Sequence, residues 1–412
     1  MILLLRVFCG AVVFGLIAPG LVVAQDGPTV ARRYVMTTEL QMFESALELP
    51  AGGAIELVTD PGFIPEPLPG FGAAYGHVRA VSVTENGQLT LAPEADAQML
   101  SVSMAAGEWV GIRNRFRSGL IQASAPVTVQ VKTDAVNRPR LLITAADAKA
   151  PLTFVFYAGP IEHRALRDID PQLPGMLFAA LWDWLRAICF GMLWLLSKIE
   201  NLVDNIGVAI ILLSLAVKVL MSPLTHIADG LQDSVNRTQA LLQPQLDAIK
   251  REYKGEDAHT RTLAVYKEHA VHPLYTLKSL AGFMIQIPIF IAAFDMLGEN
   301  VALDQASFLW IADLAKPDRW LALPVVLPFF GGHLNLLPVL MTAVTVLTSW
   351  IQTDPSLTPD LLHRQRQRLY LMAGAFFLLF YTFPAGMVLY WTTNNVLHLI
   401  KIKLLPAKKP ST

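Results

Sequence analysis

A charge inside an oily segment is the strongest constraint in this chain. Residues 206 to 220 are apolar or small except for Ser214 and Lys218, and the run ends Met-Ser-Pro-Leu-Thr at 221–225. Continued as one helix over 206–225, it is long enough to cross a bilayer. Lys218 would then lie about 4 Å from the midplane, at about 1.5 Å per residue. An ammonium at that depth costs about 2.5–3.5 kcal/mol. A chain keeps it when water or protein surrounds it, so this helix must border a polar cavity.

Composition agrees with a membrane setting. Hydrophobic residues make up 53% of the chain and charged ones 16%, against about 25% charged in soluble domains. A formal net charge of −1 gives no basic surface for nucleic acid. Cys9 and Cys189 both lie in hydrophobic segments, which supplies neither a disulfide framework nor zinc spacing. Residues 1–24 carry Arg6, an apolar stretch, Pro19-Gly20 and a small-residue Val22-Val23-Ala24 end. They read as a signal sequence or an N-terminal anchor, and either one exports the domain after it.

Residues 25–170 read as an exported, periplasmic β-sandwich domain. Val127, Val129 and Val131 alternate with polar residues, and Leu152 to Tyr157 is a short strand candidate. Val81 and Val83 are expected to face Leu89 and Leu91 across Glu85-Asn86-Gly87-Gln88. Gly and Pro punctuate 50–76, which reads as loop. His77 and His163 are isolated, and no catalytic constellation is present.

The remainder reads as helices. Candidate spans are about 206–225, 278–297, 334–352, 369–384 and 386–402. With the exported domain leading into 206–225, the loop 226–277, the Arg364-Arg366-Arg368 loop and the basic tail 404–412 all face the cytoplasm, as the positive-inside rule requires. The loop 298–333 faces out. A sixth span at 176–199 would invert every basic segment, so 171–204, with Trp182, Trp184 and Trp194, is placed flat in the outer interface as an amphipathic helix. Asp183 and Arg186 are one turn apart and can pair. Leu321 to Phe330, with Pro324 and Pro328, is too short to span.

The cytoplasmic segment 226–277 predicts a helical hairpin. Val235, Leu242, Leu246, Ile249 and Tyr253 recur at helical spacing, Lys254-Gly255 breaks the run, and a second helix covers 258–270. It is longer than a connector needs.

Polar residues mark one stripe on each of several spans. Ser214, Lys218 and Ser222 stand at i, i+4, i+8, with Thr225 close by. Ser279, Gly282 and Gln286 form another stripe; Thr342, Thr345 and Ser349 a third; Trp391, Asn394, Asn395 and His398 a fourth. Together they predict a hydrated groove inside a small bundle. Asp295 sits near the outer end of its span, at a depth that separates it from Lys218. No phosphate-binding loop, catalytic triad or metal-ligand spacing is present, so no catalytic residue, cofactor or metal is expected, and the chain does not read as an enzyme.

Five short motifs in order carry a resemblance. They are Val217-Lys218 with Met221-Ser222-Pro223-Leu224-Thr225, Leu242-Gln243-Pro244-Gln245-Leu246, Val271-His272-Pro273-Leu274, Gln286-Ile287-Pro288-Ile289-Phe290, and Thr382-Phe383-Pro384-Ala385-Gly386 with Leu389-Tyr390-Trp391-Thr392-Thr393-Asn394-Asn395. Over about 205–403 the chain resembles the YidC/Oxa/Alb membrane protein insertases. Glu108-Trp109-Val110-Gly111-Ile112 and Tyr157-Ala158-Gly159-Pro160 are similar to the periplasmic domain of Gram-negative members.

The resemblance implies an α-helical polytopic membrane protein with a five-helix insertase core and a groove open to cytoplasm and lipid. Lys218 stands where the family usually has Arg, keeping the charge without the bidentate fork. The groove would comprise Ser214, Lys218, Ser222, Gln286, Thr342, Thr345, Trp391, Asn394 and Asn395. The cytoplasmic hairpin would receive substrates through Leu242, Pro244, Leu246 and Tyr253. Implied partners are nascent membrane proteins, the ribosome, the Sec translocon and the lipid bilayer, in a Gram-negative inner membrane with the C-terminus in the cytoplasm. Two other readings of the residues stand beside it. One is a small-solute or ion transporter, since an intramembrane cation also marks permeation paths. The other is a sensory scaffold, distinguished by deleting 26–170, which an insertase core should survive.

Overall fold

The computed structural model describes residues 29–404, apart from 86, 94–98, 135–137, 148, 150, 273 and 352–358. The leader at 1–24, Pro273, the side chain of Ser279 and the tail past 404 lie outside the described part.

The N-terminal part is built of strands β1 (Thr29–Met36), β2 (Met42–Leu49), β3 (Gly53–Thr59), β4 (Arg79–Thr84), β5 (Gly87–Leu91), β6 (Met99–Met104), β7 (Trp109–Arg113), β8 (Arg117–Ala123), β9 (Val127–Thr133), β10 (Pro139–Ala145) and β11 (Leu152–Pro160). They form a five-stranded sheet, β1-β3-β10-β9-β6, and a six-stranded sheet, β2-β11-β8-β7-β4-β5. Alternation explains their packing. Val127, Val129 and Val131 of β9 turn inward to meet Ile112, Ile121, Phe154 and Phe156 of the other sheet. Two sheets sharing one apolar filling make a sandwich.

The six-stranded sheet is also covered on its outer face. Val81, Val83, Trp109, Leu120 and Tyr157 point away from the sandwich core into a second core shared with the helical part. That is why every residue of β7, Trp-Val-Gly-Ile-Arg, is buried where a half-exposed strand would alternate.

Two strand expectations change. β4 and β5 pair with Val83 opposite Gln88 and Val81 opposite Thr90, while Leu89 and Leu91 stand opposite Ser82 and Ala80. Gly87 belongs to the strand, at φ 103°, and the turn is one residue tighter than the motif suggested. A one-residue slip exchanges faces, so Leu89 and Leu91 stand on the opposite face from Val81 and Val83, which pack against the helical part. The region 50–76 is not all loop: it holds β3, whose Ile55 and Leu57 are buried in the sandwich.

The helices are α1 (His163–Ile169), α2 (Asp183–Val203), α3 (Ile206–Leu220), α4 (Ser222–Glu252), α5 (Gly255–Glu268), α6 (Ala281–Glu299), α7 (Leu336–Ile351), α8 (Pro359–Phe380) and α9 (Ala385–Leu404). A β-hairpin, β12 (Leu321–Leu327) with β13 (Gly331–Leu334), precedes α7. α2 buries Leu185, Cys189, Met192 and Leu196 along one side, while Trp182, Trp184 and Trp194 are exposed. Asp183 and Arg186 pair at 3.7 Å.

The straight helix expected over 206–225 is bent. α3 is 15 residues long, about 22 Å, short of the roughly 30 Å hydrocarbon layer. It stops at Met221, and α4 departs at 60°. Pro223 lies in the first turn of α4, where its missing N–H costs nothing and its fixed φ starts a helix. Among the described residues no single helix is long and apolar enough to cross a membrane; α3 and α4 meet that length and composition only together, across the bend. α8 also begins ten residues before the expected span, at Pro359.

α4 and α5 form the hairpin. Leu242, Leu246 and Val265 make its small core, with Ile249 and Tyr266 against it. Pro244 is accommodated within α4. The Arg261 guanidinium lies 3.9 Å over the Tyr253 ring, bracing the turn.

Candidate functional site: a polar cavity between α3, α4, α6 and α9

The break at Met221 lets α4 swing away from α3 and opens a cavity of about 530 Å³. Its polar lining comes from Lys218, from Ser222, Thr225, His226, Asp229 and Gln232 of α4, from Gln286 of α6, and from Asn394, His398 and Lys401 of α9. Lys218 lies in the last turn of α3, not at the centre of a longer helix. Helix C-termini favour cations, so the bend supplies part of the stabilisation that a straight helix would lack. The Nζ of Lys218 donates to the Asn394 carbonyl at 3.1 Å. Lys401 pairs with Asp229 at 2.9 Å; Lys218 makes no ion pair among the described residues. The cavity therefore presents one cation without a carboxylate partner among them.

Four of the expected groove residues line this cavity: Lys218, Ser222, Gln286 and Asn394. Five do not. The Ser214 hydroxyl is buried and bonded to the carbonyls of Ile210 and Tyr390, sealing α3 against α9. Thr342 and Thr345 donate to Pro338 and Met341 one turn back. Asn395 donates to Thr345 Oγ1 at 3.0 Å, tying α9 to α7. Trp391 packs with Phe290, Phe376 and Phe380. Ser214, Thr345, Asn395 and Trp391 thus fasten helices to one another, while Thr342 bonds within its own helix.

His226, Asp229, Gln232 and Lys401 were missed. Their signal was present: 222, 225, 229 and 232 recur at 3–4–3 spacing, and 394, 398 and 401 at 4–3. Ending the segment at 225 hid the first set.

The cavity is closed at one end. Along α6, Gln286 is followed at helical spacing by Phe290 and Phe294, whose rings lie 4.2 Å apart at a tilt and meet Phe380 and Trp391. Beyond them the C-terminus of α6 is clamped by the β-sandwich. Arg115 donates from Nε to the Gly298 carbonyl and from Nη1 to the Ala315 carbonyl. Its guanidinium sits 4.7 Å over Tyr75 and 4.5 Å over Phe116. Burial lowers the Arg115 guanidinium to about 10 and raises the Tyr75 phenol to about 12. Arg113 lies 3.6 Å from Glu299, which accepts from the Phe178 amide. Gly72 donates to Thr382 Oγ1 at 3.1 Å, and Arg319 pairs with Glu66 at 2.8 Å. Polar groups line one end of the bundle; aromatics and the sandwich stopper the other.

A family model described as the 60Kd inner membrane protein matches residues 198–410, just over half of the chain and all of the cavity. The chain belongs to the 60Kd inner membrane protein family. It is 33% identical over 262 residues to the membrane protein insertase YidC of Laribacter hongkongensis, covering 63% of this chain and 42% of that one. It is 35% identical over 248 residues to the corresponding protein of Syntrophobacter fumaroxidans, covering 59% and 41%. With that of Chloroherpeton thalassium it shares 28% identity over 306 residues, covering 70% and 50%. The chain thus spans half or less of the length of these family relatives. A crystal structure of an active YidC insertase with its first transmembrane domain resolved is similar at a TM-score of 0.40 and 18% identity, covering 79% of this chain and 83% of that one.

Proposed function

We propose that this chain is a membrane protein insertase of the inner membrane, and that the cavity around Lys218 is its substrate groove. The observation that carries the reading is a polar cavity, stoppered at one end, whose cation, without an acid partner among the described residues, lies in the part of the chain the family model covers. A nascent span with a short, often acidic, exported flank would dock on the α4–α5 hairpin through the surface at Pro244 and Tyr253. Leu242 and Leu246, expected at that surface, are buried in the hairpin core and support it from beneath. Its hydrophilic flank would enter the cavity, where Lys218 attracts negative charge at reduced dielectric. Partition of the apolar segment, at about 0.8 kcal/mol per buried CH₂, would then draw the new helix into lipid. The membrane potential would add about 2.3 kcal/mol per charge per 100 mV for acidic flanks moved outward. No covalent step is required.

In this reading α3 with the start of α4, α6, α7, the second half of α8 and α9 form the membrane core. α2 lies in the outer interface, the β-sandwich is periplasmic, and the hairpin and C-terminus are cytoplasmic. The ribosome and the Sec translocon would meet the chain at the hairpin and at the lipid-facing sides. The test is insertion of a single-span substrate with an acidic flank into proteoliposomes carrying the full chain, read by protease protection of the flank. Protection above that in protein-free vesicles is expected; equal protection in both would overturn the proposal.

A further inference from the structure

The hairpin β12–β13 has a use that the groove does not give it. Residues 321–332, Leu-Ala-Leu-Pro-Val-Val-Leu-Pro-Phe-Phe-Gly-Gly, carry no polar side chain. Neighbouring residues of a strand point to opposite faces, yet Val325 is 60% exposed and Val326 80%. Both faces of β12 are therefore uncovered. Exposed edge strands in water are normally guarded by charge, and none is present here. Pro324 and Pro328 each remove a backbone N–H, which lowers the cost of placing this ribbon in an apolar medium.

The base of the hairpin is fixed. Asn335 Nδ2 donates to the Tyr381 carbonyl at 2.6 Å, and the Tyr381 hydroxyl donates to the His333 carbonyl at 3.1 Å. Asp318 accepts from the Leu337 amide at 2.7 Å and from Trp310 Nε1 at 3.1 Å. The hairpin thus leaves the first turn of α7 on a rigid root, with Trp310 and Trp320 partly exposed beside it. Tryptophan at such a level is the signature of the membrane–water interface.

We propose that the β12–β13 hairpin is a membrane-seated anchor whose irregular, exposed strand segment at Val325 and Val326 occupies the acyl-chain region of the outer leaflet, while its turn at 328–330 packs on protein through Phe329 and Phe330. This rests on the reading of α7 as a span with its N-terminus outward. Acyl chains are the occupant because this exposed strand segment offers neither charge nor hydrogen-bonding side chains, while the root of the hairpin carries the tryptophans. The anchor would hold the clamp between sandwich and helices at the membrane surface, since Phe71 of the sandwich packs edge-on against Phe329 at 5.2 Å.

The test uses the full chain, with C9A and C189A, in vesicles. An environment-sensitive fluorophore is attached singly through Val326→Cys, through Leu89→Cys on the sandwich and through Leu215→Cys on α3. Quenching is read with nitroxides on lipid acyl chains and with aqueous iodide. Position 326 should be blue-shifted, quenched by the lipid probe and shielded from iodide, with position 89 the reverse. Iodide quenching at 326 equal to that at 89 overturns the proposal. Shielding of 326 from both quenchers also overturns it, because protein then covers that strand segment. If position 215 escapes the lipid quencher too, the membrane reading itself falls; lipid quenching at 215 without it at 326 rejects the anchor alone.

Discussion

Lys218 Nζ lies 3.1 Å from the backbone carbonyl oxygen of Asn394, so the cation of α3 is held by the main chain of α9 and, among the described residues, not by an acid. A main-chain acceptor orients the ammonium without neutralising it. The positive charge remains available to a ligand entering the cavity.

Lys218→Met should therefore impair insertion of substrates with acidic flanks by about tenfold or more, the equivalent of about 1.4 kcal/mol. Neutral-flank substrates should be nearly unaffected, and Lys218→Arg should retain most activity. The measurement is flank protection for paired acidic and neutral substrates in proteoliposomes. Equal loss for both would show that the charge is not what the groove uses.

Arg115 binds two carbonyls of the helical part from within the sandwich. Charge-assisted hydrogen bonds are worth about 1.5–3 kcal/mol each, so Arg115→Ala should lower stability by about 3 kcal/mol or more. Limited proteolysis in detergent should then release the sandwich. The same geometry alters the expected outcome of deleting 26–170. That deletion would strip cover from Leu173, Met176 and Phe178, which share a core with Trp109 and Leu120, and should reduce the yield of folded helical core.

Gly72 lies where a Cβ would meet the backbone of Thr382 and the side chain of Leu68. Gly72→Ala should cost about 1–3 kcal/mol by overpacking. Gly191, inside α2, has nothing within 4 Å of a Cβ, so Gly191→Ala should stabilise by up to about 1 kcal/mol. Thermal unfolding in detergent should move in opposite directions for the two.

The Arg319 guanidinium beside Glu66 holds its carboxyl below the ordinary 4.5. A folded value below the unfolded one adds stability above about 4.5, which is lost as pH falls through the lower, folded value. Glu66→Gln should flatten that acid limb in a pH series of melting temperatures. Half-exposure of the Glu66 side chain keeps the effect small. A limb as steep as in the unaltered chain would assign it to other carboxylates.

Local chemistry made much of the chain legible in advance. Alternating valines placed β9, the turn motif around Gly87 placed β4 and β5 to within one residue of register, and helical spacing put Leu242 and Leu246 on one face of α4, without showing that this face is buried against α5. Such patterns depend on periods of 2 and 3.6 residues, which a sequence carries by itself. The oily run around Lys218 likewise required polar surroundings for its charge. What the chain could not announce alone was which polar residues would meet. Ser214, Thr345 and Asn395 share the spacing of Lys218 and Asn394, yet they bond to neighbouring helices, because that choice depends on how α3, α7 and α9 pack. The 60° bend at Met221 turns α4 residues into the cavity and puts Lys218 at a helix end. The outer face of the sandwich became core only because helices distant in the chain lie against it. Contacts between distant segments arise from burying shared apolar surface, and no local period records them.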